Sequence, residues 1–299
     1  MGTLLLAAIL AASAPPRFSV SEVRPGVFAA IADPSDESSL GNAGFIVGTE
    51  AVLVVDAFAT PAAAERLLSE IRSKTTLPIR FAVITHFHRD HMGGNAAFAR
   101  AGAAVLAHEN VRVWAHREWD ERLTGEQRTR YASLRLPDVT YRDRISVWLG
   151  GRTVEVFHRP GHTGSDSIVS VPDARVVFGG DLVLKGCIPG LTFARTEAWL
   201  TTLDVLLKTY PDWTFVPGHG QPGKALDVRL FRDYLNGLRL AVSRAMREGK
   251  SGAAVVEAVK PRLASRYGRW TGFESVDGNI ADVEAELKGT KAYPPAPPD

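Results

Sequence analysis

The stretch from Thr85 to Phe98, THFHRDHMGGNAAF, places three histidines and one aspartate within six residues, directly after an apolar run. The whole chain has only 8 histidines among 299 residues. Side chains two residues apart on an extended segment project to the same face, so His86 and His88 can hold one ion together. The following glycines permit a tight change of direction, which lets Asp90 and His91 face a second ion. The spacing therefore predicts a site for two metals at the end of a strand.

Three further apolar runs end in glycine and a possible ligand. They are RPGHTG with His162, VVFGGD with Asp181 and FVPGHG with His219. Loops at one edge of a rigid sheet scaffold are where active sites are commonly built. The single cysteine, Cys187, excludes an internal disulfide and a thiolate-rich metal site. Imidazole and carboxylate ligands are left, and these suit zinc or another first-row ion.

The composition is that of a globular chain, with 45% hydrophobic and 23% charged residues. It provides enough apolar material for a core and excludes a disordered or fibrous protein. The 35 basic and 33 acidic residues give a formal net charge of +2, which is too even a balance to indicate a nucleic-acid partner. We expect a small-molecule substrate, and the composition leaves the oligomeric state open.

Strand patterns alternate with helical patterns along the chain. The predicted strands are 23–31, 44–47, 51–56, 79–85, 103–108, 175–178 and 213–216, with several more in 138–173. The predicted helices are 61–74, 95–100, 196–209 and most of 226–263, with a break at 249–252. This order predicts a mixed α/β fold.

The sequence His86-Phe87-His88-Arg89-Asp90-His91 reads HxHxDH, and the GH, GGD and PGHG motifs follow it in order. This ordered set, within residues 23–221, resembles the metallo-β-lactamase superfamily. The resemblance implies a four-layer αββα sandwich with a two-metal site at one edge. We expect a catalytic domain over residues 18–222, a C-terminal helical extension over 223–292 and a Pro-rich, flexible tail over 293–299.

The resemblance also implies a role for each motif residue. The first metal would be held by His86, His88 and His162, the second by Asp90, His91 and His219, with Asp181 as the bridge. Asp56 resembles the buried aspartate that braces the metal loop in this superfamily, although an ordinary turn carboxylate is the alternative. The expected cofactor is two Zn²⁺, with iron or manganese as other possibilities.

Two divalent ions lower the pKa of a shared water to near neutrality, and the resulting hydroxide would attack an acyl bond while Asp90 orients it and accepts its proton. True β-lactamases of the superfamily carry cysteine or serine at the position of Asp181. An aspartate there is typical of its esterase, thioesterase, lactonase and phosphodiesterase relatives. The leading hypothesis is a hydrolase of an ester, lactone or thioester. The alternatives are a β-lactamase, a phosphodiesterase and a mononuclear-iron persulfide dioxygenase.

Several residues outside the motifs leave two interpretations open. Lys185 lies four residues beyond Asp181, where some lactamases place a substrate-anchoring lysine three residues beyond, so it is a weak anchor candidate or a solvated lysine. The segment Arg112 to Arg135 is either a lid or an amphipathic helix that docks Trp114 and Leu123. Cys187 lies near the site mouth or is a small buried hydrophobe. The histidines without a motif, His108, His116 and His158, are expected to be structural.

The first residues have the pattern of a secretory signal. An apolar run from Leu4 to Ala12 precedes Ala12-Ser13-Ala14, which has the small-x-small form of a cleavage site. We expect residues 1–14 to be a signal peptide and the protein to be exported, to the periplasm or beyond. A buried N-terminal segment in a cytoplasmic protein is the alternative. The run is too short to span a bilayer permanently.

Overall fold

The computed structural model describes residues 15–122, 125 and 135–293, with the side chains of 116–122 excepted. The predicted signal peptide of residues 1–14, the tail beyond residue 293 and most of the second half of the Arg112–Arg135 segment lie outside these residues. Within them, every helix is too short or too polar to cross a membrane.

The first sheet has seven strands, which follow one another in chain order across the sheet. They are β1 (Phe18–Arg24), β2 (Val27–Ala32), β3 (Ala43–Val47), β4 (Val52–Val55), β5 (Ile79–Ile84), β6 (Ala104–His108) and β7 (Val139–Tyr141). The first four strands pair antiparallel, and β4 to β7 pair parallel. β4 is buried over its whole length, as expected for a parallel strand that is covered on both faces.

The second sheet has five strands in the order β12-β11-β10-β9-β8. They are β8 (Arg144–Trp148), β9 (Thr153–His158), β10 (Ser167–Val171), β11 (Val176–Leu184) and β12 (Thr214–His219). Only β11 and β12 pair parallel in this sheet. Their carboxyl ends carry the GGD and PGHG motifs to one edge.

Eight α-helices are present among the described residues. They are α1 (Pro61–Lys74), α2 (Arg89–Met92), α3 (Asn95–Arg100), α4 (Glu109–Arg122), α5 (Thr196–Thr209), α6 (Ala225–Arg247), α7 (Ala253–Tyr267) and α8 (Val276–Leu287). α1 begins where the Thr60 hydroxyl accepts a hydrogen bond from the Ala63 amide and Pro61 fixes the first turn.

Three apolar cores separate four layers. One core joins α1 and α3 to the outer face of the first sheet and includes Leu67 and Phe98. The second lies between the two sheets, where Leu53 and Val83 face Val169 and Val216. The third joins the outer face of the second sheet to α5–α8. The αββα sandwich and the C-terminal helices are therefore confirmed. The predicted domain boundary at residue 222 stays a prediction.

Three elements differ from the expectation. The predicted strand 23–31 is a hairpin, because Pro25-Gly26 turns the chain between β1 and β2, and Gly26 has φ +72°. The predicted strand 175–178 continues through Gly179-Gly180-Asp181 to Leu184, since its pairing with β12 is irregular there and tolerates the glycines. Helix α8 lies within the expected helical extension of residues 223–292, but the residue pattern does not predict it as a separate helix, because Gly278 and Asn279 are poor helix formers in its first turn.

Asn42 joins the two sheets at the edge that carries the motifs. Its side-chain amide donates to the carbonyl of Pro217 at 2.9 Å and to that of Gly220 at 2.8 Å. Its backbone amide donates to the Gly218 carbonyl at 2.7 Å. The loop before β3 therefore fixes the carboxyl end of β12 and the residue after it, and the motifs of both sheets are kept at one edge.

Candidate metal centre

The structure brings the seven predicted ligands together as two adjoining donor groups. In each group the potential ligand atoms lie within 4.8 Å of one another. We call them the first group, with His86, His88, His162 and Asp181, and the second group, with Asp90, His91 and His219. These are the same sets that the motif resemblance implied, and their role as metal ligands stays a prediction.

The first group is built by strand ends of both sheets. His88 Nδ1 lies 3.1 Å from His86 Nε2 and 2.9 Å from His162 Nε2. Asp181 Oδ2 lies 3.4 Å from His162 Nε2. Two ligands at about 2.0–2.1 Å from a tetrahedral zinc are about 3.3 Å apart. The nitrogens of the first group therefore have the spacing that one such ion requires.

The second group faces the other oxygen of Asp181. His91 Nε2 lies 3.1 Å from Asp181 Oδ1, and His219 Nε2 lies 3.1 Å from Asp90 Oδ2. His91 Nε2 and Asp181 Oδ1 are buried, and although they are only 3.1 Å apart, neither atom has a well-aligned hydrogen bond among the described residues. Buried polar atoms without a partner are costly, so these two fit a site that a cation completes. Because Asp181 directs one oxygen to each group, the residues fit two metals with a carboxylate between them.

Burial lowers the pKa of every imidazole in the first group. The pKa of His88 falls to about 3, because burial removes water from a charged ring and His162 would repel a second positive charge. These three rings are therefore neutral near pH 7. Neutral imidazole is the form that binds a metal.

In the second group, the pKa values of the imidazoles are raised instead of lowered. Burial alone would lower the pKa of His219, but the carboxylates of Asp181 and Asp90 raise it to about 10. The pKa of His91 is also raised well above its usual value, by Asp181, Asp90 and Asp56 against the effect of burial. Burial alone would raise the pKa of Asp90 and Asp181, but the facing imidazoles hold both well below the usual range. Without a metal, this group contains imidazolium–carboxylate pairs.

Asp56 lies behind the centre, where sequence reasoning left two interpretations open. Its Oδ2 accepts a hydrogen bond from His91 Nδ1 at 2.9 Å, which directs His91 Nε2 toward the second group. Its Oδ1 accepts from the Thr85 amide at 2.8 Å. The residue is buried and has φ +59°, a conformation that Asp tolerates better than most residues. The contact to His91 is the one that an orienting aspartate makes.

Asp166 is a site residue that sequence reasoning missed. It is buried, burial raises its pKa well above the usual value, and its carboxylate accepts from the Thr163 amide at 2.7 Å and the Thr163 hydroxyl at 2.6 Å. Its backbone carbonyl also accepts from the Arg159 amide. Asp166 therefore closes the turn that carries His162. The sequence offers one indication of this role, which is that Asp166 follows His162 by four residues.

Only glycine fits at residue 218, because the backbone there lies close to the Asp181 carboxylate. A Cβ atom at this position would lie 2.0 Å from Asp181 Oδ1 and 2.8 Å from the Asp181 amide nitrogen. Any side chain there would displace the carboxylate or the loop. The glycine before His219 therefore makes room for the proposed bridge.

The structure does not place Lys185 among the donor groups. Its ammonium lies 3.1 Å from Asp227 Oδ1 and donates to the Pro222 carbonyl at 3.3 Å. A substrate-anchoring role would require this ion pair to open. Cys187 is half-buried, its thiol contacts the His219 carbonyl at 3.9 Å, and burial raises its pKa to about 12.

The histidines without a motif lie outside both donor groups where they are described. The rings of His108 and His158 stack with centroids 3.9 Å apart, and burial lowers the pKa of both. Trp114 on α4 is buried and contacts Phe87 with ring centroids 5.8 Å apart, as the docked-helix interpretation requires. His116 and Leu123 are not among the described side chains, and neither is most of the segment that could form a lid.

The loop of residues 186–195 passes beside the first group. The Phe193 ring lies 5.8 Å from His88 and 5.3 Å from Phe87, centroid to centroid. Donors from the C-terminal region hold this loop. They are the Thr271 amide to the Gly186 carbonyl, the Asn279 side chain to Pro189, and the Lys291 ammonium to Leu191 and Ala194.

The family model of the metallo-beta-lactamase superfamily matches residues 38–219. The match contains all seven residues of the two donor groups, and it covers more than half of the chain. The chain belongs to the metallo-β-lactamase superfamily.

Similar proteins act on different substrates. The chain is 24% identical over 267 residues to the linear primary-alkylsulfatase of a Pseudomonas species, covering 73% of this chain and 50% of the relative. It is 26% identical over 199 residues to a metallo-beta-lactamase type 2 of Pseudomonas aeruginosa, covering 65% and 73%. It is 28% identical over 168 residues to the hydroxyacylglutathione hydrolase GloC of Haemophilus influenzae, covering 52% and 76%. The chain thus spans about half the length of the alkylsulfatase.

Solved structures with the same fold include a metallo-beta-lactamase from Pontibacter korlensis. It superposes with a TM-score of 0.62 at 23% identity and covers 74% of this chain and 99% of its own. A metallo-beta-lactamase from Hirschia baltica gives a TM-score of 0.59 at 18% identity, covering 73% and 97%. At this identity the likeness shows the fold. The chain is a member of a superfamily composed mostly of hydrolases, with a cluster able to hold metals.

Proposed function

We propose that this protein is a two-zinc hydrolase of an acyl bond in an ester, lactone or thioester. The observation that carries the proposal is Asp181, a carboxylate whose two oxygens each face one donor group. Superfamily members that act on β-lactams resemble this chain elsewhere but carry cysteine or serine at that position. One relative is named as a hydroxyacylglutathione hydrolase, and its substrate is an acyl compound.

His86, His88 and His162 would hold the first zinc, and Asp90, His91 and His219 the second, with Asp181 shared. Two zinc ions, when bound, lower the pKa of a coordinated water toward neutrality and polarise a carbonyl oxygen.

The chain's own groups supply orientation and a proton acceptor. The Asp90 side chain is 23% exposed, so it is accessible from solvent, and its pKa lies well below the usual range because His91 and His219 face it. It is therefore ionised at neutral pH and can accept a hydrogen bond that orients an attacking water, while its low pKa makes it a weak base that would only pass the proton on. Asp56 accepts the proton of His91 Nδ1, which leaves Nε2 as the nitrogen that can bind a metal once it loses its own proton.

β-Lactam hydrolysis is the second candidate, because the metallo-beta-lactamase type 2 of Pseudomonas aeruginosa is 26% identical over 199 residues. Two observations place it second. Asp181 replaces the cysteine or serine expected of a lactamase, and the ammonium of Lys185 pairs with Asp227. A penicillin carboxylate would therefore lack a dedicated cation from Lys185.

A substrate panel tests the order of these candidates. We expect lactones, thioesters and aryl esters to be hydrolysed with higher kcat/KM than penicillins and cephalosporins, and EDTA to abolish both activities. The ranking is decisive, because weak lactam opening is expected from any two-zinc hydrolase. A cephalosporin turned over at about 10⁶ M⁻¹s⁻¹, within the range of efficient enzymes, with esters far slower, would establish the lactamase instead.

Metal content tests the hydrolase class itself. We expect about two zinc ions per chain in the purified protein by elemental analysis. A single iron per chain, with oxygen uptake on a persulfide, would replace the hydrolase with the dioxygenase alternative.

Export is a separate proposal that is supported by the leader-like sequence of residues 1–14. Fractionation of cells expressing the full chain tests it, with N-terminal sequencing of the mature protein. A cytoplasmic protein that retains residues 1–14 would contradict export.

A further inference from the structure

The side chain of Thr85 lies between His86 of the first group and Asp56, which contacts His91 of the second group. Its hydroxyl donates to Asp56 Oδ2 at 2.8 Å and lies 3.1 Å from His86 Nδ1. Thr85 is only 1% exposed, so water does not replace these contacts. A buried hydroxyl with two polar neighbours has its hydrogen bonds fixed by them.

The proton positions follow from counting donors. A threonine hydroxyl has one proton, and Thr85 donates it to Asp56 Oδ2. The hydroxyl oxygen can then only accept from His86, so His86 Nδ1 carries a proton. In a neutral imidazole the other nitrogen is then a free acceptor. His86 Nε2, which belongs to the first group, is therefore directed to bind a metal.

The same Asp56 oxygen also receives the proton of His91 Nδ1, at 2.9 Å. One carboxylate oxygen is thus connected to an imidazole in each donor group, directly to His91 and through the Thr85 hydroxyl to His86. The backbone amide of Thr85 donates to the other oxygen of Asp56 at 2.8 Å, which fixes the carboxylate plane.

The GGD motif leaves room for this hydroxyl. Gly180 has φ +49°, and a Cβ atom there would lie 2.6 Å from Thr85 Oγ1. A side chain at residue 180 would therefore push the hydroxyl away from Asp56. The residue before the bridging Asp181 thus contacts the residue before His86.

We propose that Thr85 is a positioning residue that sets the metal-binding tautomer of His86 and, through Asp56, joins the orientation of one imidazole in each donor group. Loss of its hydroxyl then weakens the first metal selectively, whereas loss of the Asp56 carboxylate weakens both metals. The inference depends on metal binding by the cluster and is independent of the substrate.

The test compares Thr85→Val, which keeps the shape and removes the hydroxyl, with Thr85→Ser, which keeps the hydroxyl. Zinc titration of the metal-free full-length proteins gives the affinity of each step. We expect Thr85→Val to weaken the first zinc about tenfold or more, the range for loss of a group that orients a metal ligand. Thr85→Ser should stay within about threefold of the wild type, and Asp56→Asn should weaken both steps.

The tautomer of His86 distinguishes a positioning role from a general loss of stability, because a general loss of stability would leave the tautomer unchanged. Long-range ¹H–¹⁵N spectra of the metal-free proteins report which nitrogen of His86 carries the proton. We expect Nδ1–H in the wild type and Thr85→Ser, and a mixture with Nε2–H in Thr85→Val.

Thr214→Val is the matched control. Thr214 is also buried, and its hydroxyl accepts from the Lys224 ammonium at 2.9 Å at the start of β12, away from the donor groups. This variant should lower thermal stability and leave both zinc affinities unchanged.

Three results would overturn the inference. They are an unchanged first zinc affinity in Thr85→Val, an equal loss in Thr85→Ser and Thr85→Val, and an unchanged His86 tautomer. If the wild type binds no metal, the proposed hydrolase fails as well. If the wild type binds two zinc ions and Thr85→Val binds them equally well, the inference about Thr85 fails alone.

Discussion

Filling the two donor groups should release different numbers of protons. The imidazoles of the first group are already neutral near pH 7, because burial lowers their pKa values. His91 and His219 carry protons in the metal-free protein, since Asp181 and Asp90 raise the pKa of both, that of His219 to about 10. A metal needs one deprotonated nitrogen from each ring, so its binding to the second group displaces two protons from the imidazoles, in addition to any proton that a coordinated water loses.

The number of protons released sets how steeply the zinc affinity depends on pH. Each proton released by binding makes the apparent affinity rise about tenfold per pH unit below the pKa of the group. Two protons therefore predict a second-zinc affinity that rises roughly a hundredfold per pH unit between pH 6 and pH 8. The first zinc should show little dependence on pH over the same range.

Calorimetric zinc titrations in buffers with different ionisation enthalpies count the protons at each step. The His219→Ala variant is the control, because it should lower the second-step count by about one and leave the first step unchanged. A second step that releases no protons and has the same affinity at pH 6 and pH 8 would refute the assignment of charged imidazoles to the second group.

Three further predictions concern the bridge, its glycine neighbour and acid stability. Asp181→Ala should release at least one metal and lower turnover on the order of a hundredfold, whereas Asp181→Cys should keep the second metal better; full metal content and kcat in the alanine variant would contradict the bridge. Gly218→Ala should lose metal, because its Cβ would meet Asp181 Oδ1. Gly237→Ala on α6 is the control, since a Cβ there meets open space. Elemental analysis should show that this variant keeps its metal, and its free energy of unfolding should rise by up to about 1 kcal/mol. The free energy of unfolding of the metal-free protein should fall as pH drops below about 6.5, by up to about 1.4 kcal/mol per pH unit for each first-group imidazole, because the unfolded chain takes up protons that the folded protein excludes. The raised pKa values of the buried Asp56 and Asp166 act in the opposite direction but involve fewer groups. A Tm that stays level from pH 7 to pH 4 would contradict this prediction.

The local part of the centre could be predicted from the sequence. His86 and His88 share one face of an extended segment, and His162, Asp181 and His219 each follow an apolar run and glycine. These patterns involve only residues that are close in the sequence, so they can be recognised without knowing the fold. The assignment to two groups came from the motif resemblance, and the distances agree with it.

The supporting contacts could not be predicted in the same way. The resemblance implied that Asp56 braces the metal loop, but the contact itself joins Asp56 to His91 across 35 residues, and the Asn279 contact with the 186–195 loop spans 90 residues. Such pairs depend on how the two sheets and the C-terminal helices pack. The charge states of His91 and His219 likewise depend on carboxylates that only folding brings near.

The loop that places Phe193 beside His88 is held by donors from beyond residue 219. The loop beside His88 therefore depends on the C-terminal region for its position, and we expect local opening of the last helix to free this loop before either sheet unfolds. Under mild denaturant, the surface beside His88 would change shape while the strands that carry the two donor groups stay folded. Substrate preference, more than metal content, would then report the first stage of unfolding.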